Sequence, residues 1–247
     1  MYHFFVDSDA FLENGIQIRG EDVNHIKNVL RLKCGEQIII SRKNSTEEED
    51  YYCNITEITD DYVMAHIDWT EAGRELNNKI YLFQGLPKSD KMELIIQKAV
   101  ELGVYEIIPV AARRSVVKLD NKKEESKIKR WQAISESAAK QSKRSMIPKI
   151  SQVMTFKEAA SYAAGMDVRI MPYENAKGIA ETRRIISEIQ KGESIAVLIG
   201  PEGGFDPEEV EIAEKSGFHP VTLGKRILRT ETAGLMMLSV LMYNLEE

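Results

Sequence analysis

The first third of the chain sets short runs of β-branched and aromatic residues between polar breaks. Residues 2–6, 37–41, 51–58 and 62–69 each read as a strand, and residues 21–30 as one helical patch. Strands this short, separated by turn residues, predict a small β-barrel. The acidic run 47–50 predicts a hairpin loop, and the polar stretch 71–78 a linker. From Lys79 the rhythm changes to strand, helix, strand. Strands are predicted at 80–84, 105–110, 168–171, 195–199 and 221–223; helices at 91–102, 126–142, 156–163, 176–190, 207–215 and 231–245. Such alternation predicts an α/β domain with a mostly parallel sheet. The chain thus divides into a β-rich domain over 1–74 and an α/β domain over 75–247.

Composition agrees with two modest cores, since 247 residues carry 43% hydrophobic side chains. No stretch approaches the roughly 20 apolar residues that a bilayer requires, and no basic flank precedes an apolar core at the amino terminus. A cytoplasmic location is expected, with no membrane partner. Cys34 and Cys53 lack metal or redox spacing and read as free thiols. His3, His25, His66 and His219 are scattered, so no metal is expected. The net charge of −6 is unevenly spread. Residues 1–74 hold 7 basic against 15 acidic side chains, whereas 113–149 hold 12 basic against 4 acidic. The second segment is the candidate RNA-facing surface, with Arg113, Arg114, Lys118, Lys140, Lys143 and Arg144 near element ends. A solvated helix pair rich in lysine gives the same charge pattern.

The candidate chemistry lies in the last fifth. The apolar run Ser194-Ile-Ala-Val-Leu-Ile199 breaks into Gly200-Pro-Glu-Gly-Gly-Phe205. A short apolar run ending in glycines reads as a buried strand of a parallel sheet, and ligands of such sheets sit beyond the carboxyl ends of the strands. The glycines do not make a phosphate cradle. Asp206 as N-cap, Pro207 at the first helical position and Glu209 in a capping box put carboxylates at the next helix start, which disfavours an anion there. The lysine of a P-loop and the spacing of a dinucleotide turn are both missing. The loop suits a neutral or cationic ligand held by backbone groups, although a tight turn needing positive φ accounts for such glycines too. A second segment, Leu223-Gly-Lys-Arg-Ile-Leu-Arg-Thr-Glu-Thr-Ala233, supplies another strand end, a loop and a helix start around the same pocket.

These two motifs resemble the SPOUT class of S-adenosylmethionine methyltransferases, and within it the 16S rRNA uridine-N3 methyltransferase family. Lys91-Met-Glu-Leu-Ile-Ile-Gln-Lys-Ala-Val-Glu-Leu-Gly103, Val117-Lys-Leu-Asp120, Trp131, the stretch 138–148 and Arg31-Leu-x-x-Gly35 resemble that family in order and spacing, over nearly the whole chain. The resemblance implies a deep trefoil knot, a PUA-like or OB-like RNA-binding domain at the amino terminus and a homodimer, for which Met236, Met237 and Met242 suit an interface or a buried core equally. It implies S-adenosylmethionine as cofactor, held by Met171, Pro172, Tyr173, Leu198, Ile199, Gly200, Pro201, Glu202, Gly203, Gly204, Leu223, Gly224, Ile227, Leu228, Thr230, Thr232 and Ala233. The implied partner is 16S rRNA within the small ribosomal subunit, methylated at a uridine of the decoding region in assembled subunits. Methylating uracil N3 requires loss of its proton and stabilisation of charge on O2 and O4. Arg229 is the candidate cation, and Glu202 or Glu231 the candidate base. Glu231 could equally serve the helix dipole, Glu202 the loop and Arg229 a surface ion pair. Arg31 and Lys33, with Arg19, Lys27 and Arg42, give the acidic amino-terminal domain a candidate basic face. Two other readings stay open at this point: a SPOUT enzyme methylating a ribose 2′-hydroxyl, and a noncatalytic protein that binds ribosomal RNA.

Overall fold

A computed structural model of the chain describes residues 1–43, 49–117, 121–176 and 178–246. It divides into two compact units, Met1–Glu75 with Ala139–Ile147, and Leu76–Ala138 with Pro148–Glu247.

The first unit is a six-stranded sheet. Its elements are β1 (Tyr2–Val6), β2 (Phe11–Leu12), β3 (Gly15–Arg19), α1 (Glu21–Asn24) continued by a π-helical turn His25–Val29, β4 (Gln37–Arg42), β5 (Glu49–Ile58) and β6 (Tyr62–Ala72). Strand order is β1-β4-β5-β6-β3-β2, with β1 parallel to β4 and every other pair antiparallel. Among the described residues the edge strands β1 and β2 do not pair, so the small barrel the sequence predicts is a half-barrel. Period-two alternation selects the inner face. Ile16, Ile18, Ile38, Ile40, Cys53, Ile55 and Val63 are at most 1% exposed, joined by Ile26 from the π-turn. Each large aliphatic side chain buried in this way contributes about 2 kcal/mol. Of the predicted acidic hairpin loop, Glu47 and Glu48 lie outside the described residues, while Glu49 and Asp50 belong to β5. Both cysteines are free, and burial pushes the Cys53 thiol up to about 12.

Two polar clusters are buried in this unit. On β1, β4 and β5, His3 Nε2 lies 2.7 Å from Ser41 Oγ, which donates to Asp50 Oδ1 at 2.5 Å. Because the serine proton goes to Asp50, the imidazole is the Nε2–H tautomer donating to Ser41, and its Nδ1 is a bare, buried acceptor. The serine stands between the other two groups, and all three are buried. In the second cluster Arg144 and Glu75 form an ion pair, each side chain under 10% exposed. Glu75 also accepts from the backbone N–H of Ser145 at 2.9 Å. Arg144 is therefore a structural cation, and the sequence-based expectation that it meets RNA phosphate is corrected: leaving Glu75 would strand a buried carboxylate.

The second unit is a seven-stranded, wholly parallel sheet. Its elements are β7 (Lys79–Gly85), α2 (Lys91–Glu101), β8 (Glu106–Ala111), α3 (Asn121–Ser142), β9 (Lys149–Ile150), β10 (Met154–Thr155), α4 (Phe156–Ala163), β11 (Val168–Pro172), α5 (Ile179–Ser187), β12 (Ser194–Ile199), α6 (Pro207–Lys215), β13 (His219–Val221) and α7 (Thr230–Leu245). Strand order is β10-β8-β7-β12-β11-β13, with β9 on β8. In β12, residues 195–199 are all at most 2% exposed, which is why its sequence shows a continuous apolar run. Leu198 and Ala196 join Phe83 and Ile108 in the cluster that α4 and α6 cover. Ile199 and Leu82 face α7 at Gly234. Helices α4 and α6 start at capping boxes, Thr155 with Glu158 and Asp206 with Glu209, and both match their predicted spans. The carboxyl ends of β7, β12, β11 and β13 are neighbours in the sheet, so the loops that follow them surround one region.

Burial lowers the His3 pKa to about 4, with Asp50 opposing the shift and Arg74, Lys140 and Lys143 adding to it. The unfolded chain therefore binds the proton first. Stability should be fully present above about pH 6.5 and decline towards pH 4, by on the order of 3 kcal/mol. Urea denaturation between pH 4 and 7 should show that decline, and His3→Phe should remove most of it.

Candidate active site

The ends of β11, β12 and β13 and the start of α7 enclose a cavity of about 520 Å³, within the range of small-molecule sites. It is lined by residues 172–174, 199–205 and 222–230, with Lys91 and Ala233. The lining includes the sequence-predicted Pro172, Tyr173, Ile199, Gly200, Pro201, Glu202, Gly203, Gly204, Leu223, Gly224, Ile227, Leu228, Arg229, Thr230 and Ala233. Four other predicted residues are not in the lining. Met171 and Leu198 are at most 1% exposed and pack in the sheet core, where strand alternation turns their side chains from the cavity. Thr232 is exposed on α7, and Glu231 stands behind the lining, paired with Lys91.

The cavity is held open by one buried hydroxyl. Thr230 Oγ1 donates to the Gly200 carbonyl at 2.6 Å and accepts from Gln84 Nε2 at 2.9 Å. Gln84 also donates to the Gly85 carbonyl at 3.0 Å. This chain of bonds joins the ends of β7 and β12 to the first turn of α7. The N-cap residue of α7, Arg229, makes no side-chain cap bond. A Cβ on Gly85 would come within 2.6 Å of the Pro201 nitrogen, so only glycine lets β7 end so near the loop.

The glycine loop is clamped from two sides. Glu202 accepts from the Lys88 backbone N–H at 3.1 Å and pairs with Lys91 Nζ at 3.0 Å. Desolvation raises the Glu202 carboxyl, but its own backbone N–H, Lys91 and the Lys88 N–H together outweigh it and hold the group below its ordinary value. On the other side Arg114 donates to the Gly203 carbonyl at 3.3 Å, and a Cβ on Gly203 would meet the Arg114 Cβ at 3.0 Å. Arg113 bonds Asp206 at 3.0 Å and Glu208 at 2.7 Å, while its backbone N–H donates to Glu209 at 2.7 Å. Charges at the start of α6 are thus answered from within the unit. Glu202, Arg113 and Arg114 are all engaged in fixing loops.

Lys91 Nζ also lies 3.2 Å from Glu231 Oε2, which is buried without a hydrogen bond. Beyond that ion pair, Oε2 has no hydrogen-bond partner among the described residues. Arg229 is exposed on the lining and has no ion-pair partner among the described residues. Elsewhere, Lys118 lies outside the described residues. In the first unit Lys140 bonds Asp22 at 3.2 Å, Lys143 is exposed at φ +58°, and Arg31 and Lys33 are exposed. No group of three or more potential metal ligands occurs among the described residues. Sequence reasoning missed Lys91, Gln84, Glu174, Phe205 and Thr222, and took in Lys225 and Arg226 only as part of the 224–228 loop. A glutamine in the apolar run Ile80-Tyr-Leu-Phe-Gln84 is the one local signal that could have flagged such a residue.

Comparison with known proteins gives this geometry its context. The family described as RNA methyltransferase domain matches residues 74–242, and RNA methyltransferase PUA domain matches residues 18–64. The two together define the class, an RNA methyltransferase carrying a PUA domain. Ribosomal RNA small subunit methyltransferase E of Bacillus subtilis is 42% identical over 93% of this chain and 90% of its own length. The protein of the same name from Mesomycoplasma hyopneumoniae is 36% identical over 97% of this chain and 98% of its own. A crystal structure of ribosomal RNA small subunit methyltransferase E from Neisseria gonorrhoeae bound to S-adenosyl methionine superposes with a TM-score of 0.81, at 29% identity over 98% of this chain and 97% of that one. The chain belongs to the ribosomal RNA small subunit methyltransferase E family.

Thr230→Val keeps the shape of the side chain and removes its hydroxyl, leaving Gln84 and the Gly200 carbonyl without their shared partner. The variant should lose about 1–3 kcal/mol in urea denaturation, and Thr230→Ser should recover most of it.

Proposed function

We propose that this enzyme transfers the methyl group of S-adenosylmethionine to N3 of a uridine in the decoding region of 16S rRNA, acting on assembled small subunits. The observation that carries the reading is the cavity itself, at the carboxyl end of a parallel sheet, in a chain 42% identical to a small-subunit rRNA methyltransferase. The residues present fit the cofactor chemically. Ile199, Leu223 and Leu228 offer apolar walls, the main chain of 200–204 and 223–228 offers neutral polar groups, and Glu174 and Glu202 suit a cationic ligand. Bound there, S-adenosylmethionine supplies a methyl group already activated on a sulfonium. The protein's task is then placement of the acceptor and handling of its proton.

Arg229, a cation on the lining with no ion-pair partner among the described residues, is assigned to the negative charge on uracil O2 and O4. Between the two candidate bases the surroundings favour Glu231. Glu202 is engaged by Lys88 and Lys91, whereas Glu231 Oε2 has a lone pair with no hydrogen bond. Lys225 and Arg226, on the loop before α7, add positive charge that suits an RNA phosphate. The target imide normally pairs within a helix, so the uridine must be unpaired or swung out to enter. In the amino-terminal unit, Arg31, Lys33 and Lys143 are the exposed cations assigned to RNA. The knotted threading belongs to this reading too. So does a homodimer. Met237 is core, but Met236, Val240 and Tyr243 leave an apolar stripe on α7, with Tyr243 86% exposed.

Labelled S-adenosylmethionine, small subunits from a strain lacking this protein and mass spectrometry of the product nucleoside test the reading. 3-Methyluridine is the expected product. A methylated ribose would replace the reading with 2′-O transfer, and no transfer would remove it. Arg229→Ala should lower the rate about 100-fold or more. Charge reversal at Arg31 and Lys33 should weaken subunit binding in a salt-dependent way, and unchanged binding would remove these two residues from the RNA surface.

A further inference from the structure

The charged groups around the cavity mouth are unequal in their engagements, and one of them has no assigned task. Lys91 opens α2, whereas Glu202 follows β12 and Glu231 lies in the first turn of α7. Its ammonium reaches both carboxylates, at 3.0 Å and 3.2 Å, and it also lines the cavity. All three side chains are less than a third exposed. Two carboxylates sharing one partner in such a setting would otherwise compete for a proton.

We propose that Lys91 is a positioning residue for the reaction: shared between Glu202 and Glu231, its ammonium ties both carboxylates in place beside the cavity and supplies the positive charge that balances them, leaving Glu231, just behind the lining, placed to take the uracil N3 proton. The inference rests on the proposed N3 transfer and deepens it. Glu202 is the fixed arm of the trio, tied to the Lys88 N–H, and it anchors the ammonium. Glu231 is the working arm, because its Oε2 meets only that ammonium. In the step assigned here the N3–H bond breaks and its proton passes to Glu231. The N3 electron pair forms the new bond to the methyl carbon, and the carbon–sulfur bond breaks with its pair left on sulfur. Glu231 ends neutral, and Lys91 retains Glu202 as counter-charge, so no isolated cation is left behind. The other charged groups around the cavity are Glu174, Lys225, Arg226 and Arg229, and Arg114 adjoins the loop at Gly203. None of them is paired with Glu231 among the described residues.

The direction of the ionisation behaviour agrees with this geometry. The Glu202 hydrogen bond raises the Lys91 pKa first, burial opposes it, and Glu231 adds to the rise. The ammonium therefore keeps its charge across the working range.

The test compares the full-length wild type with Lys91→Met and Lys91→Arg by two readouts. The first, independent of turnover, is the pH titration of the side-chain carboxyl carbons of Glu202 and Glu231 by carbon-13 NMR. Lys91→Met should raise the midpoints by about one pH unit or more, and Lys91→Arg should keep them near wild type. The second is the pH dependence of kcat/KM for methyl transfer to small subunits. A carboxylate base works only when deprotonated, so its acidic limb should move upward in Lys91→Met by the same amount and return in Lys91→Arg. Unchanged midpoints in a folded Lys91→Met protein overturn the inference. Raised midpoints with an unmoved acidic limb overturn it too, because Glu231 would then not be the base. If wild type forms no 3-methyluridine, the functional reading falls and takes the proton step with it, while the titration still decides whether Lys91 sets the two carboxylates.

Discussion

The site depends on the burial of one hydroxyl. Thr230 is 6% exposed and spends its single proton on the Gly200 carbonyl, while its lone pair receives Gln84. Gln84 is fully buried and has no water to substitute, so its bond is costly to lose. The consequence is geometric. The first turn of α7, the end of β12 and the end of β7 are held at fixed separations by short bonds, and the cavity is the space those separations leave. Apolar packing of β12 supplies the cohesion, but it is non-directional and would tolerate a shift along the strand that hydrogen bonds forbid.

Charge completes what the hydroxyl begins. The loop from Gly200 to Asp206 carries two acidic residues, and both meet cations or backbone donors from elsewhere in the unit: Glu202 from the α2 side and Asp206 from the loop after β8. The glycines in between confer freedom that these clamps then remove. Such a loop is flexible in composition and rigid in place, which is what binding by main-chain groups requires. Arg229, Lys225 and Arg226 stand apart from this scheme, since none of them has an ion-pair partner among the described residues.

Much of this was legible in the sequence wherever one physical signal dominated. The apolar run at 195–199, the capping box at Asp206 and the alternation in β4 to β6 all led to the right elements, because burial or capping acts locally on a few residues. Helix α5 was overextended at both ends, since the chain breaks at Gly178, where φ is +89°. The two-residue strands β9 and β10 were invisible, being too short for any period. The larger misreading concerned Arg144, which looks like part of an RNA surface when counted as charge yet is buried against Glu75; Arg113 and Arg114 also meet carboxylates far away in sequence, but at the surface. Lys91 was hidden for the same reason: nothing near it announces Glu202 or Glu231. Long-range ion pairing leaves no periodic trace, so composition can locate charge but cannot say which charges are already satisfied.

The strand order of the second unit carries a consequence for how the protein is made. β12 pairs with β7 on one side and β11 on the other, so strands made early must wait for one made late. Only afterwards does the segment arrive that holds Thr230. A chain emerging from the ribosome can complete its amino-terminal sheet strands 1 to 6 well before this, but its cavity cannot exist until α7 has been released. Pairing over such long separations is slow, and it exposes the apolar β7 and β8 in the interval. The completed cavity is therefore the last feature this chain acquires during synthesis, and truncated or stalled products carry the amino-terminal sheet without it.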